Sequence, residues 1–76
     1  MTLHDFLSLI TDEEARIELE IDLEDEEEYT YQSFWYSDYR VNDSIVKEYR
    51  DFTVTGYNFT SLSTKHVDIT IEIKKQ

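Results

Sequence analysis

From residue 17 to residue 24 the chain alternates without a break. Ile17, Leu19, Ile21 and Leu23 are aliphatic, while Glu18, Glu20, Asp22 and Glu24 are acidic. Successive side chains of an extended strand point to opposite faces, so this period predicts a strand with one face in a core and the other in water. Near the other end, Val67, Ile69, Ile71 and Ile73 alternate with His66, Asp68, Thr70, Glu72 and Lys74 in the same way. Two such strands call for a sheet with a covering layer on one face.

The remaining segments supply that layer and two further strands. Thr2 is a helix N-cap with Asp5 three residues on, and Leu3, Phe6, Leu7 and Ile10 then recur on one helical face. Asp12, Glu13 and Glu14 form the turn out of it. Residues 29–36 are rich in β-formers and predict a second strand, joined to the first as a hairpin through Asp25, Glu26, Glu27 and Glu28. Ser37 or Asp38 can cap a helix running to about residue 49, with Val41, Ile45 and Tyr49 on one face. Asn42 or Asp43 can equally start a shorter one. Residues 52–59 return to strand character, and Gly56 within them points to a bulge or a close backbone approach. The expected fold is α+β: one small domain over residues 1–76, in the order α-β-β-α-β-β. Its four-stranded antiparallel sheet has one or two helices packed on a face.

A 76-residue chain buries about 60% of the surface its unfolded form exposes, so a modest core is expected. Eleven aromatic residues, a single Gly and no Pro set it apart from a disordered or linker composition, despite a net charge of −11. The absence of Cys removes disulfides and thiolate metal sites and fits a reducing cytosol. Neither a basic leader nor an apolar run of about 20 residues is present. The sequons at Asn42 and Asn58 are therefore read as chance.

The charge is unevenly spread. Residues 1–28 hold 12 of the 18 acids and one base, Arg16, and so carry the whole −11; residues 29–76 hold six acids and six bases. Such a field repels the phosphate backbone and anionic lipid, which argues against direct nucleic-acid binding and against membrane binding. No chemical signature offsets this reading. His4 and His66 lack a second histidine at helical spacing, and the run 22–28 lacks the glycine and ligand spacing of a calcium loop. No nucleophile elbow surrounds any serine. The expectation is a protein that is not an enzyme and needs no cofactor or metal.

On one face of a strand, side chains recur about every 6.6–6.8 Å. Glu18, Glu20, Asp22 and Glu24 therefore predict a row of carboxylates whose linear charge density is within about a factor of two of one DNA strand. Exposed acids also serve solubility and protect sheet edges. Here, however, they are stacked with little relief, which costs stability through self-repulsion. Beside them lies an aromatic cluster, Tyr29, Tyr31, Phe34, Trp35, Tyr36 and Tyr39. Either Phe34 and Tyr36 point inward and Tyr29, Tyr31 and Trp35 outward, or the reverse. Exposed Tyr and Trp are favoured anchors in protein interfaces.

The stretches "TLHDFLSLI", "IELEIDL", "DFTVTGYNF" and "VDITIEI" resemble small, acidic, uncharacterised proteins of bacteriophages and other mobile elements of Gram-positive bacteria. The resemblance implies a phage-like setting and assigns no functional residue. Together with the acidic row, and by analogy with other small acidic inhibitors, it leads to an expectation of an anti-CRISPR-like mimic of nucleic acid. Its partner would be a basic nucleic-acid-binding protein such as a Cas nuclease or a restriction enzyme. Glu18, Glu20, Asp22, Glu24, Asp25, Glu26, Glu27 and Glu28 would meet that protein's Lys and Arg, with Tyr31 and Trp35 as anchors. The alternative is a non-enzymatic adaptor or structural accessory protein that binds a partner, or itself as a homodimer, through the aromatic patch or a sheet edge.

Overall fold

The computed structural model describes residues 1–24, 27–60 and 66–75. Its elements follow the expected order. Helix α1 spans Leu3–Leu7, and Thr2 caps it by accepting the Asp5 N–H on Oγ1 at 3.2 Å. Leu3, Phe6 and Leu7 are buried beneath it, with Ile10 half-buried beyond its end. The chain then turns, Asp12 Oδ1 accepting the Glu14 N–H at 2.9 Å. Strand β1, Arg16–Asp22, follows. Strand β2, Thr30–Trp35, returns beside it as the predicted hairpin partner.

Helix α2, Tyr36–Val41, starts directly at the end of β2 and is shorter than the longest helix the sequence allowed. Asn42 ends it by leaving helical geometry (φ −142°, ψ 90°). The Asn42 side chain then accepts the Ser44 N–H at 3.3 Å and caps a 3₁₀ turn, Asp43–Val46. Asn competes with helix hydrogen bonding through such local contacts, so the segment divides: α2 begins after Trp35, without a cap from Ser37 or Asp38, and a second short helical turn starts at the expected Asn42 cap. Val41, expected on an apolar helical face, is consequently 89% exposed, whereas Val46 is buried and Ile45 and Tyr49 are half-buried. Strands β3, Thr53–Thr60, and β4, Asp68–Lys74, complete the sheet.

The strand order is β2-β1-β4-β3. Both hairpins are antiparallel, but β1 and β4 run parallel, so the sheet is mixed rather than purely antiparallel. The cause is the placement of the two most aliphatic strands side by side at the centre, where parallel strands are normally found. Their register brings Ile17 beside Ile69, Leu19 beside Ile71 and Ile21 beside Ile73. All six are buried, in one cluster with Leu3, Leu7, Tyr36 and Val46 and with Phe34, the neighbour of Ile17 on β2. The Tyr36 hydroxyl donates to the Leu7 carbonyl at 2.8 Å, tying α2 to the end of α1 inside this core. The opposite face of the sheet has neither helix upon it. At Gly56 the register of β3 against β4 shifts by one residue, the bulge that a glycine within a strand pattern predicts. Among the described residues, no helix is long and apolar enough to cross a membrane.

Candidate functional site

The residues of β1 and β4 that alternate with the buried aliphatics form the uncovered face. Register fixes who stands beside whom. Trp35, Arg16, Asp68 and Thr60 make one row across the four strands; Ser33, Glu18, Thr70 and Asn58 make the next. Tyr31, Glu20, Glu72 and Gly56 make the third, and Asp22, Lys74 and Thr53 close the face. The ends are charge-balanced: Arg16 lies beside Asp68 and Asp22 beside Lys74. The middle is not: the rows of Glu18, Glu20 and Glu72 contain no base of their own, and the nearest cations reach in from the ends, Arg16 donating at 3.3 Å to Ser33 Oγ beside Glu18 and Lys74 sharing a depression with Glu20 and Glu72.

Neighbouring strands lie about 4.7–4.9 Å apart, so parallel pairing sets the Glu20 and Glu72 side chains against each other. The consequence is a Glu20 carboxyl whose pKa is raised from its ordinary 4.5. Partial burial contributes most, followed by the negative charge of Glu72, a hydrogen bond shared with Glu72, and the charge of Glu18. On the far side of Glu72, Gly56 leaves room for its carboxylate: a Cβ at position 56 would collide with Glu72 Oε2. Its φ is not positive, so what the glycine provides is room for the flexible Glu72 side chain in this position rather than a special backbone conformation. A shallow depression of about 100 Å³ lies over Glu20, Asp22, Glu72 and Lys74.

The expected carboxylate row is thus modified. Glu18, Glu20 and Asp22 lie in file on β1, but β1 ends there. Asp22 Oδ1 accepts the Glu24 N–H at 2.9 Å, and Glu24 turns aside in the left-handed conformation (φ 63°). Its carboxylate pairs with Lys74 Nζ at 3.5 Å, so Glu24 is partly neutralised and leaves the straight row. Glu27 and Glu28 are exposed on the approach to β2. Asp25 and Glu26 lie outside the described residues. Among the described residues, Arg40 pairs with Glu13 and Lys74 with Glu24, His66 lies close to Asp68, and none of these contacts involves Glu18, Glu20 or Glu72.

The two orientations open for residues 29–36 resolve in favour of Phe34 and Tyr36 inward. Tyr31 and Trp35 stand outward on the acidic face, 61% and 43% exposed, and Tyr29 is exposed beside its lower end. Tyr31 borders Glu20. Trp35 borders Arg16 and meets the His66 ring edge-on at 5.2 Å between centroids, while His66 Nε2 lies 3.3 Å from Asp68 Oδ1. His4 sits apart on exposed α1. The residue that sequence reasoning missed is Glu72. Its place on the polar row of residues 66–74 was visible, but its position beside Glu20 depends on parallel pairing between segments about fifty residues apart.

Comparison of the chain with protein-family models, with curated proteins and with solved structures returned no match.

Proposed function

We propose that the uncovered sheet face is an anionic docking surface that enters the basic groove of a DNA- or RNA-binding protein and holds it closed to polynucleotide. The observation that supports this most strongly is the set Glu18, Glu20 and Glu72: three acids crowded on the two central strands, none of them in an ion pair among the described residues, with a Glu20 carboxyl already resisting ionisation. Acids kept for solubility gain nothing from this crowding, whereas Lys and Arg of a partner relieve it. Carboxylates about 6.6–6.8 Å apart along a strand and about 4.8 Å apart between strands approach the charge density of a phosphate every 3.4 Å or so. Charge steers the encounter, and Tyr31 and Trp35 supply apolar contact at the border of the acidic field.

The mechanism is steric and electrostatic. The resemblance to small acidic phage proteins supports a host-defence nuclease inside the bacterial cell as target, a Cas nuclease first and a restriction enzyme next. The test is a capture panel: the immobilised protein is offered Cas nucleases, restriction enzymes and DNA glycosylases, and whichever binds is challenged with its own DNA or guide RNA. Displacement by the polynucleotide supports the reading. A stable ternary complex with the polynucleotide bound in its groove refutes it.

A further inference from the structure

A second surface has a different character. Between α1 and β3 runs an open apolar cleft of about 720 Å³, lined by Phe6, Leu9, Val54, Tyr57, Phe59 and Ile69 among others. Tyr57 and Phe59 are on the helix-bearing side of the sheet, opposite Ile71 and Ile69 of β4, yet they are 59% and 58% exposed. Five-residue α1 is too short to cover them. Tyr57 meets Phe59 edge-on and Phe6 at a tilt, with centroids 5.5 Å and 5.2 Å apart. The strand they belong to is also an edge. Val54 donates its N–H to the Met1 carbonyl at 2.9 Å, but from Gly56 to Thr60 no described strand lies beside β3. Edges in monomers are usually blunted by charge, Pro or a bulge; residues 52–60 contain no charge and no Pro, and past the bulge at Gly56 the Gly56–Thr60 register is regular.

We infer that the occupant of this edge is a second copy of the chain, with the two β3 strands pairing antiparallel about a twofold axis into one eight-stranded sheet. The twofold sets Tyr57, Phe59 and Leu9 of each copy across the seam from those of the other, so the apolar patch meets itself. Charge distribution selects this edge. Residues 29–76 are net neutral, and at about 4.8 Å per strand the β1 acid files of the two copies would stand about 24 Å apart, beyond the Debye length of about 8–10 Å. Joining through β2 would bring those files to about 14 Å and set Glu27 and Glu28 against their counterparts. The exposed parts of Met1, Leu9, Tyr57 and Phe59 from both copies amount to roughly 1,000 Å² of mostly apolar surface when wholly buried, the lower bound for a specific interface.

Sedimentation equilibrium over a concentration series tests the inference, with circular dichroism to confirm folding. The wild type is expected to dimerise, and to do so no more weakly as salt is raised, since salt screens the repulsion between two acidic chains. Phe59→Glu and, independently, Leu9→Glu should each weaken the dimer by about tenfold or more, while Tyr31→Glu on the opposite edge should leave it intact. Amide exchange should protect the Tyr57–Thr60 backbone in the dimer and release it in Phe59→Glu. A wild type that stays monomeric into the millimolar range overturns the inference, as does a dimer insensitive to both groove substitutions. Neither result touches the acidic face, whose binding is read by polynucleotide competition.

Discussion

The two faces of the β1–β4 pair share one backbone and one register but obey different rules. Inward, Ile17, Leu19 and Ile21 meet Ile69, Ile71 and Ile73, and every pair removes apolar area from water. Outward, the same register brings opposite charges together at the ends and like charges together in the middle. Like charges side by side across strands are destabilising by a fraction of a kcal/mol up to about 1 kcal/mol. The inner face is therefore what folding selects. The centre of the outer face works against folding, and an arrangement of that kind suits a surface whose partner brings the missing cations.

Substitutions on the two faces should separate these roles. The largest effect belongs to the inner face: Leu19→Ala, at a fully buried central position, is expected to cost about 2–5 kcal/mol, enough in so small a domain to be seen as loss of the cooperative urea transition. Tyr36→Phe, where α2 meets the core, leaves the Leu7 carbonyl without its 2.8 Å partner and should cost roughly 1 kcal/mol in the same assay. On the outer face the sign reverses. Replacing Glu18, Glu20 and Glu72 together with Gln should leave the fold intact and raise the unfolding free energy read from urea denaturation at neutral pH, by about 1 kcal/mol at most after solvent screening. A loss of stability in that variant would break the contrast between the faces.

The smallest effect is the most diagnostic. The folded-state pKa of Glu20 lies above the ordinary 4.5, so the folded protein holds this proton more tightly than the unfolded chain. Its contribution to stability is fully present below the unfolded value and is lost as pH rises through the folded value. Glu20→Gln removes that loss. The variant should be more stable than wild type at pH 7 by a few tenths of a kcal/mol, and the difference should vanish in acid. Denaturation at a series of pH values checks it; a gap that widens as pH falls would contradict the carboxylate pairing.

Period-two alternation made β1 and β4 legible, because no other arrangement hides four aliphatics and exposes their neighbours. Thr2 with Asp5, and Gly56 within a strand, were equally readable, since each answers a local need for a cap or for space. Local patterns do not encode partners distant in sequence. The parallel pairing of β1 with β4 was invisible for that reason, and with it the meeting of Glu20 and Glu72. Residues 29–36 could be read with either face inward because rings occur on both, and only the packing of Phe34 and Tyr36 against the helices chooses. A start at Asn42 lay among the alternatives and is used by the 3₁₀ turn, but that α2 would end there was not foreseen; the Asn42 side chain, accepting the Ser44 N–H, decided it. Glu24 left the acid row because the Asp22 carboxylate rewards a turn there, a competition the alternating pattern conceals.

The central claim is that the acidic middle of the uncovered face is what a partner grips. The most direct test is the salt dependence of binding to whichever basic protein the capture panel returns, measured for the wild type and for the folded Glu18→Gln, Glu20→Gln, Glu72→Gln variant. The account predicts that wild-type affinity falls steeply with salt, and that the variant binds more weakly with a distinctly flatter slope. Equal affinity and an unchanged slope for the two proteins would contradict it.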